Sequence, residues 1–268
     1  MGTLKGPIVF TGSIGTIRVY YDPARKAYTV ATKGGTNSDI IANSDNCKIQ
    51  RLNMQEFKGA SIWAKQLGKT LRAIDHLHYG YYFPKIVGMG KIIMKYDELG
   101  HLGQRRLESS KASRLLTTIN FNKLHPFDEV LTQPYSISFS DDKRTVTLKM
   151  SGFNSKNHIH WPERYASFRI TLTIGQQPDF FWSAHSRMYE PVILSSESLS
   201  VSSYTEWSSQ STESMDILLE ASFVQPALQI PGTAVVVGMG IEFSTTEVEP
   251  SNYRACGVGT LKIVECFV

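Results

Sequence analysis

Tyr135-Ser136-Ile137-Ser138-Phe139-Ser140-Asp141-Asp142-Lys143-Arg144-Thr145-Val146-Thr147-Leu148-Lys149-Met150 alternates apolar and polar side chains on both sides of a charged turn. A period of two sends successive side chains to opposite faces of a strand, so the stretch reads as strand, turn, strand, with one face toward a core. Later strands are expected over 167–174, 190–194, 198–205, 215–223, 234–243 and 258–267. Many strands separated by turns, with few helical windows among them, predict a mostly antiparallel β-sandwich after Pro126.

Upstream of that point the period is helical. Placed at about 100° per residue, residues 47–78 gather Ile49, Leu52, Ala60, Trp63, Leu67, Leu71 and Ile74 on one face. Gly59 and Gly68 each cost about 1 kcal/mol relative to Ala in a helix, which points to a close approach or a bend at both. Pro84 opens a second helix through Tyr96 carrying Ile86, Ile92, Ile93 and Met94, and a third is expected from Leu107 to Thr118. Residues 8–32 read as short strands, with a hairpin turning at Asp22-Pro23-Ala24-Arg25 and closed by Lys33-Gly34-Gly35. The expected class is therefore α+β: an N-terminal β-hairpin and basic helical bundle over 1–125, then an acidic β-sandwich over 126–268.

Charge follows the same division. Residues 1–125 hold 19 Lys and Arg against 8 Asp and Glu, whereas 126–268 hold 9 against 16, a net +11 beside a net −7. Such a split favours polyanion binding by the first half or head-to-tail attraction between copies. Within the helix of 47–78, Arg51, Lys58, Lys65 and Arg72 recur every seven residues, with Lys69 beside them. They lie along one line opposite the apolar face and are the candidate polyanion- or partner-binding residues. A solvated helix face is the bland reading of the same pattern.

At 268 residues and 41% hydrophobic, the chain can bury a substantial core without staples. Cys47, Cys256 and Cys266 are an odd and sparse set, expected as free thiols in a reducing compartment. Residues 1–12 lack the apolar run of a signal peptide, Gly6 stands where a myristoylation signal has Ser or Thr, and no stretch approaches the ~20 apolar residues of a membrane span. The expected location is the cytoplasm, or an assembled particle released without a signal peptide.

No catalytic motif stands out. Gly12-Ser13-Ile14-Gly15 lacks the spacing and the Lys-Ser/Thr ending of a phosphate loop, and Gly88-Met89-Gly90 and Gly238-Met239-Gly240 fail likewise, so these glycines are read as turn or packing positions. His158 and His160 share a face if their segment is a strand, with Glu163 near, but two ligands without a defined third are not a metal site. His76 and His78 point apart on a helix. Asp141-Asp142 and Asp97-Glu98 suit turns and helix ends. Neither a G-x-S-x-G elbow nor a Cys in a nucleophile context occurs, so no enzyme activity, cofactor, metal or small-molecule substrate is expected. Residues 195–214 hold ten serines, interrupted by Leu199, Val201 and Tyr204, and read as an edge strand followed by a polar loop.

The chain resembles a family of uncharacterised proteins found in Bacteroidota genomes. The likeness rests on Gly12-Ser13-Ile14-Gly15-Thr16-Ile17, Tyr28, Lys33-Gly34-Gly35, Arg51-Leu52-Asn53-Met54-Gln55-Glu56-Phe57, Gly68-Lys69-Thr70-Leu71-Arg72, Gly103-Gln104-Arg105-Arg106 and Gly240-Ile241-Glu242-Phe243. It implies a bacterial, non-secreted protein and carries over no activity or ligand.

The functional expectation is a structural subunit that self-assembles into a filament, tube or phage-tail-like particle, its basic region meeting the acidic domain of the next copy. One alternative is a DNA-, RNA- or other polyanion-binding protein using the basic helix. A second is a carbohydrate-binding β-sandwich with Trp161, Trp182 and Trp207 as stacking platforms.

Overall fold

The computed structural model describes residues 2–3, 10–23, 25–32, 36–80, 82–161, 165–193, 200–224, 231–244 and 258–268. Lys33-Gly34-Gly35, Glu163, Cys256 and residues 195–199 of the serine run lie outside the described residues. The chain divides into two compact units, Met1–Arg51 and Leu52–Val268.

The first unit is an antiparallel sheet of β1 (Gly2–Thr3), β2 (Gly12–Ile14), β3 (Ile17–Asp22) and β4 (Ala27–Thr32), in the order β1-β4-β3-β2. Ile14 pairs with Ile17 across Gly15-Thr16, and a positive φ at Gly15 alone (57°) makes this a type II′ turn. The phosphate-loop-like glycines thus serve a hairpin. The expected hairpin at 22–25 forms between β3 and β4, with Asp22 opposite Ala27. Helix α1 (Ser38–Asn43) follows, its first turn capped by the Asn37 side chain on the Asp39 N–H. Val19 is the only fully buried apolar side chain among the described residues of this unit, while Ile14, Ile17 and Tyr21 are exposed.

Helix α2 (Lys48–Thr70) begins in the first unit and runs on into the second. From Glu56 onward its buried face follows the sequence pattern: Ala60, Trp63, Leu67, Leu71 and Ile74 are fully covered, the last two in the turn after the helix. Each such aliphatic or aromatic side chain contributes about 1.5–3 kcal/mol by leaving water. Ile49, assigned to the same face, is exposed. Helix α3 (Phe83–Met94) carries Pro in its first turn and buries Ile86, Ile93 and Met94 against α2, with Ile92 turned outward.

The remaining elements are α4 (Ser113–Leu116), α5 (Phe127–Val130), β5 (Ser136–Phe139), β6 (Thr145–Phe153), α6 (Ser155–His158), β7 (Ser167–Pro178), β8 (Phe180–Ser183), β9 (Met188–Pro191), β10 (Ser200–Tyr204), β11 (Ser208–Ser209), β12 (Met215–Ser222), β13 (Thr233–Ser244) and β14 (Gly259–Phe267). One sheet has the order β10-β7-β13-β14, with β11 also on β7, and a second the order β12-β6-β5. Every pairing is antiparallel. Val146, Leu148 and Met150 of β6 and Ile217 and Leu219 of β12 pack against Ile170, Leu172 and Ile174 of β7 and Val237, Met239 and Ile241 of β13.

The opposite face of the larger sheet is covered too. Val236, Leu261 and Ile263 belong to the same apolar cluster as Leu71, Ile74 and Leu77 beyond α2. Layers of sheet, sheet and helix therefore share β7 and β13 as strands buried on both sides. The boundary expected at 125/126 falls inside the second unit, because one apolar cluster joins the helices of 52–94 to the strands that follow 126. Of the third expected helix only α4 is helical. Leu107 instead exchanges backbone hydrogen bonds with Phe180 (2.8 and 3.0 Å), and Asp179 accepts the Ser110 N–H (3.0 Å), so the start of that segment is drawn out along β8.

Candidate interaction surface

Lys58, Lys65, Lys69 and Arg72 are exposed, and among the described residues none of them is within ion-pair distance of a carboxylate. At a rise of about 1.5 Å per residue, Lys58 to Arg72 make a cationic ridge roughly 20 Å long. Arg51 belongs to the first unit and is spent locally: its Nη1 donates to the carbonyls of Ile41 and Ser44, both at 2.7 Å, closing the chain between α1 and α2.

Exposed carboxylates lie on and beside the sheet edges. β10 and β11 form the edge of the larger sheet, as read for the serine-rich stretch, and β12 is the edge of the smaller one. Glu206, Glu213, Asp216 and Glu220, on or beside these strands, are all exposed. Asp216 accepts the Gly152 N–H (2.7 Å), and Glu220 accepts from Thr147 Oγ1 (3.4 Å). Along β12, Asp216, Leu218, Glu220 and Ser222 face out and alternate with buried Ile217, Leu219 and Ala221.

The other sequence candidates have structural partners. His158 ends the short helix α6, and its Nδ1 accepts the Asn154 N–H (3.0 Å), while Ile159 bridges to Leu131. Among the described residues no three His, Cys, Asp or Glu side chains are grouped as metal ligands would be. His76 lies 3.2 Å from Glu242, while His78 stacks on Tyr82 at 4.2 Å. Burial pushes the Glu242 carboxyl up, but the His76 hydrogen bond and the Arg169 guanidinium (2.8 Å) outweigh it and hold it below the usual carboxylate range. Trp161 packs edge-on to Phe168 at 5.6 Å, Trp182 lies on Tyr189 at 5.5 Å, and Arg169 sits 4.8 Å over the Trp207 ring. Burial pushes the Cys266 thiol up to about 12, with Glu265 adding to it, which favours the protonated thiol over the nucleophilic thiolate.

One polar cluster has no counterpart in the sequence reading. Glu56 is wholly buried. Its Oε1 accepts the Gly103 N–H (2.9 Å) and Arg105 Nε (2.8 Å), and its Oε2 accepts from Arg105 Nη2 (3.3 Å) and the Lys91 ammonium. Gln55 Nε2 and Tyr189 Oη both donate to the Gly103 carbonyl (2.6 and 3.2 Å). Asp97 holds the other side of the same loop through the N–H groups of Leu99, Gly100 and Arg106. Residues of 55–56 and 103–105 therefore meet at this carboxylate. With both of its oxygens occupied, Glu56 holds a loop and has no lone pair left for chemistry. A glutamate on an otherwise basic helix was the available signal.

No protein-family profile matches the sequence, and no curated protein matches it at a significant level. Among the described residues no helix is long and apolar enough to cross a membrane.

Proposed function

We propose that the protein is a non-enzymatic structural subunit that self-assembles through complementary charge, the Lys58–Arg72 ridge of one copy meeting the acidic strand edges of the next. The observation that supports this reading is the ridge itself, four exposed cations without a carboxylate partner among the described residues. Edge strands β10 and β12, with Glu206, Glu213, Asp216 and Glu220, supply carboxylates and strand edges that pair with no further strand among the described residues. A contact between different patches is heterologous and propagates into a filament or tube unless it closes into a ring, and a phage-tail-like particle is one such assembly. The bacterial origin suggested by the sequence resemblance fits such a particle.

Light scattering coupled to size-exclusion chromatography tests the proposal. Oligomers at low salt should dissociate as salt rises, because exposed charges are screened beyond about 8–10 Å at physiological ionic strength. A monomer at high protein concentration and low salt would refute it.

A second reading is polyanion binding by the same ridge. Phe57, 59% exposed beside Lys58, adds an aromatic platform of the kind on which single-stranded bases stack. Fluorescence anisotropy with labelled oligodeoxythymidine distinguishes it: binding with a steep salt dependence supports this reading, and no binding at low salt removes it.

A further inference from the structure

Two cavities flank the segment from Arg106 to Lys111. One, of about 340 Å³, lies between the end of α3 and α4, and the other, of about 400 Å³, lies between the same segment and β8. Both fall within the volume range of small-molecule pockets. The first has an apolar floor of Ile93, Ala112 and Leu115, with exposed Tyr96 as one wall and Arg106 and Arg114 at its rim.

Charge around this cavity is unevenly satisfied. Asp97 is committed to three backbone N–H groups, those of Leu99 (3.0 Å), Gly100 (3.0 Å) and Arg106 (2.6 Å). Glu108 is paired with Lys111 at 2.9 Å. The guanidinium groups of Arg106 and Arg114 have neither a hydrogen bond nor an ion pair among the described residues, although the Asp97 charge is near Arg106. The second cavity shares Arg106 but not Arg114, so it offers one free guanidinium rather than two, and its own carboxylate, Asp179, is occupied by Ser109 Oγ and by the N–H and Oγ of Ser110.

We infer that the α3–α4 cavity is a binding site for a small organic anion, a carboxylate, sulfonate or phosphate on an aromatic or short aliphatic body. The anionic group takes charge-assisted hydrogen bonds from Arg106 and Arg114, whose planar donor forks match it, and the body rests on Ile93, Leu115 and the Tyr96 ring. This site is independent of the cationic ridge and of self-assembly.

Titration with anilinonaphthalene sulfonate, an aromatic anion whose fluorescence reports an apolar site, tests the inference. Its uncharged relative N-phenylnaphthylamine serves as the control. Saturable binding of one dye per chain is expected, weakened about tenfold in R114Q and in R106Q, the loss of one charge-assisted hydrogen bond each. Binding should also weaken in Y96A and stay unchanged in K69Q on the ridge. Arg106, Arg114 and Tyr96 are exposed, so these variants keep the fold, which circular dichroism verifies. Equal dye affinity in the parent and both arginine variants, equal affinity for the uncharged relative, or no saturable binding would each overturn the assignment.

Discussion

Leu71 Cδ2 stands 2.7 Å from the point where a Cβ on Gly238 would lie, with Thr173 Cγ2 at 2.9 Å and Ile74 Cδ1 at 3.0 Å. Gly240 is in the same position against Leu77 and Ile74 (2.7 and 2.8 Å), so along β13 the missing side chains are what lets the end of α2 settle on the sheet. Overpacking at such a site costs about 1–3 kcal/mol. Gly238→Ala is expected to lower the unfolding free energy by that amount, read as a lower urea midpoint at unchanged slope, and to cost less when introduced into a Leu71→Ala background, where the added Cβ has room. An unchanged midpoint would mean that the helix is not seated on this strand.

A second expectation concerns a buried chain of hydrogen bonds. Trp63 donates its indole N–H to Ser109 Oγ (3.3 Å), and Ser109 donates in turn to Asp179 Oδ1 (3.0 Å). Asp179→Ala leaves two hydroxyls and the Ser110 N–H without their acceptor. A buried group left unsatisfied costs about 1–3 kcal/mol. Equilibrium denaturation should show a loss in that range, and the tryptophan emission should move to longer wavelength as water reaches the Ser109 side of Trp63. Parent-like stability and emission would show that Asp179 is not the anchor of this loop.

Strands β6 and β12 were legible because Val146, Leu148 and Met150 and then Ile217, Leu219 and Ala221 fall at every second position, and the face of α2 was legible because Ala60, Trp63, Leu67 and Leu71 keep a period near 3.6. The pattern of Gly238-Met239-Gly240 suits either a turn or close packing and does not name a partner, since Leu71 and Leu77 are more than 160 residues away in sequence. The layering was hidden for a related reason. β7 alternates Ile170, Leu172 and Ile174 with Thr171, Thr173 and Gly175, β13 alternates Val237, Met239 and Ile241 with Gly238 and Gly240, and nothing in one strand says that its small-residue face is covered by a helix. Segment 107–110 failed as a helix because Phe180 and Asp179 compete for its backbone, a tertiary contact that local propensity does not contain. Of the proposed ridge, four positions are exposed cations and Arg51 is tied to backbone carbonyls. Glu56 was missed, because its one signal, a glutamate on an otherwise basic helix, does not name Lys91, Gly103 and Arg105 as its partners.

The ridge itself makes a reciprocal prediction. Replacing Lys58, Lys65, Lys69 and Arg72 by Glu is expected to abolish self-association at low salt, and replacing Glu206, Glu213, Asp216 and Glu220 by Lys to do the same. Mixed together, the two variants should associate with each other through reversed charges. Exposed positions of this kind usually change stability by less than about 0.5 kcal/mol, so both variants should fold. Light scattering of each variant and of the mixture is the measurement. Undiminished assembly of the first variant would exclude the ridge as a contact.

The last prediction concerns acid. Burial pushes the Glu56 carboxyl up, but the Lys91 ammonium, the Gly103 N–H and the Arg105 guanidinium outweigh it, so the folded-state value lies below that of the unfolded chain. The unfolded state therefore binds the proton more readily. The stabilisation is fully present above the ordinary carboxylate range and is lost as pH falls through the depressed folded value, by at most about 1.4 kcal/mol per pH unit for one proton. Glu56→Gln removes the charge while keeping the shape, leaving Lys91 and Arg105 beside a neutral amide. Breaking a buried ion pair costs about 3–5 kcal/mol, and the partial exposure of both cations places this site toward the lower end. Urea midpoints of the parent and the variant, measured from neutral pH into the acid limb, should differ most at neutrality and converge as the parent carboxyl takes up its proton. Asp97, Asp142 and Glu242 are depressed as well and titrate in both proteins, so the difference between the two curves isolates Glu56. Parallel curves with a constant gap would mean that the carboxylate stabilises the loop by its shape and hydrogen bonds alone, without its charge.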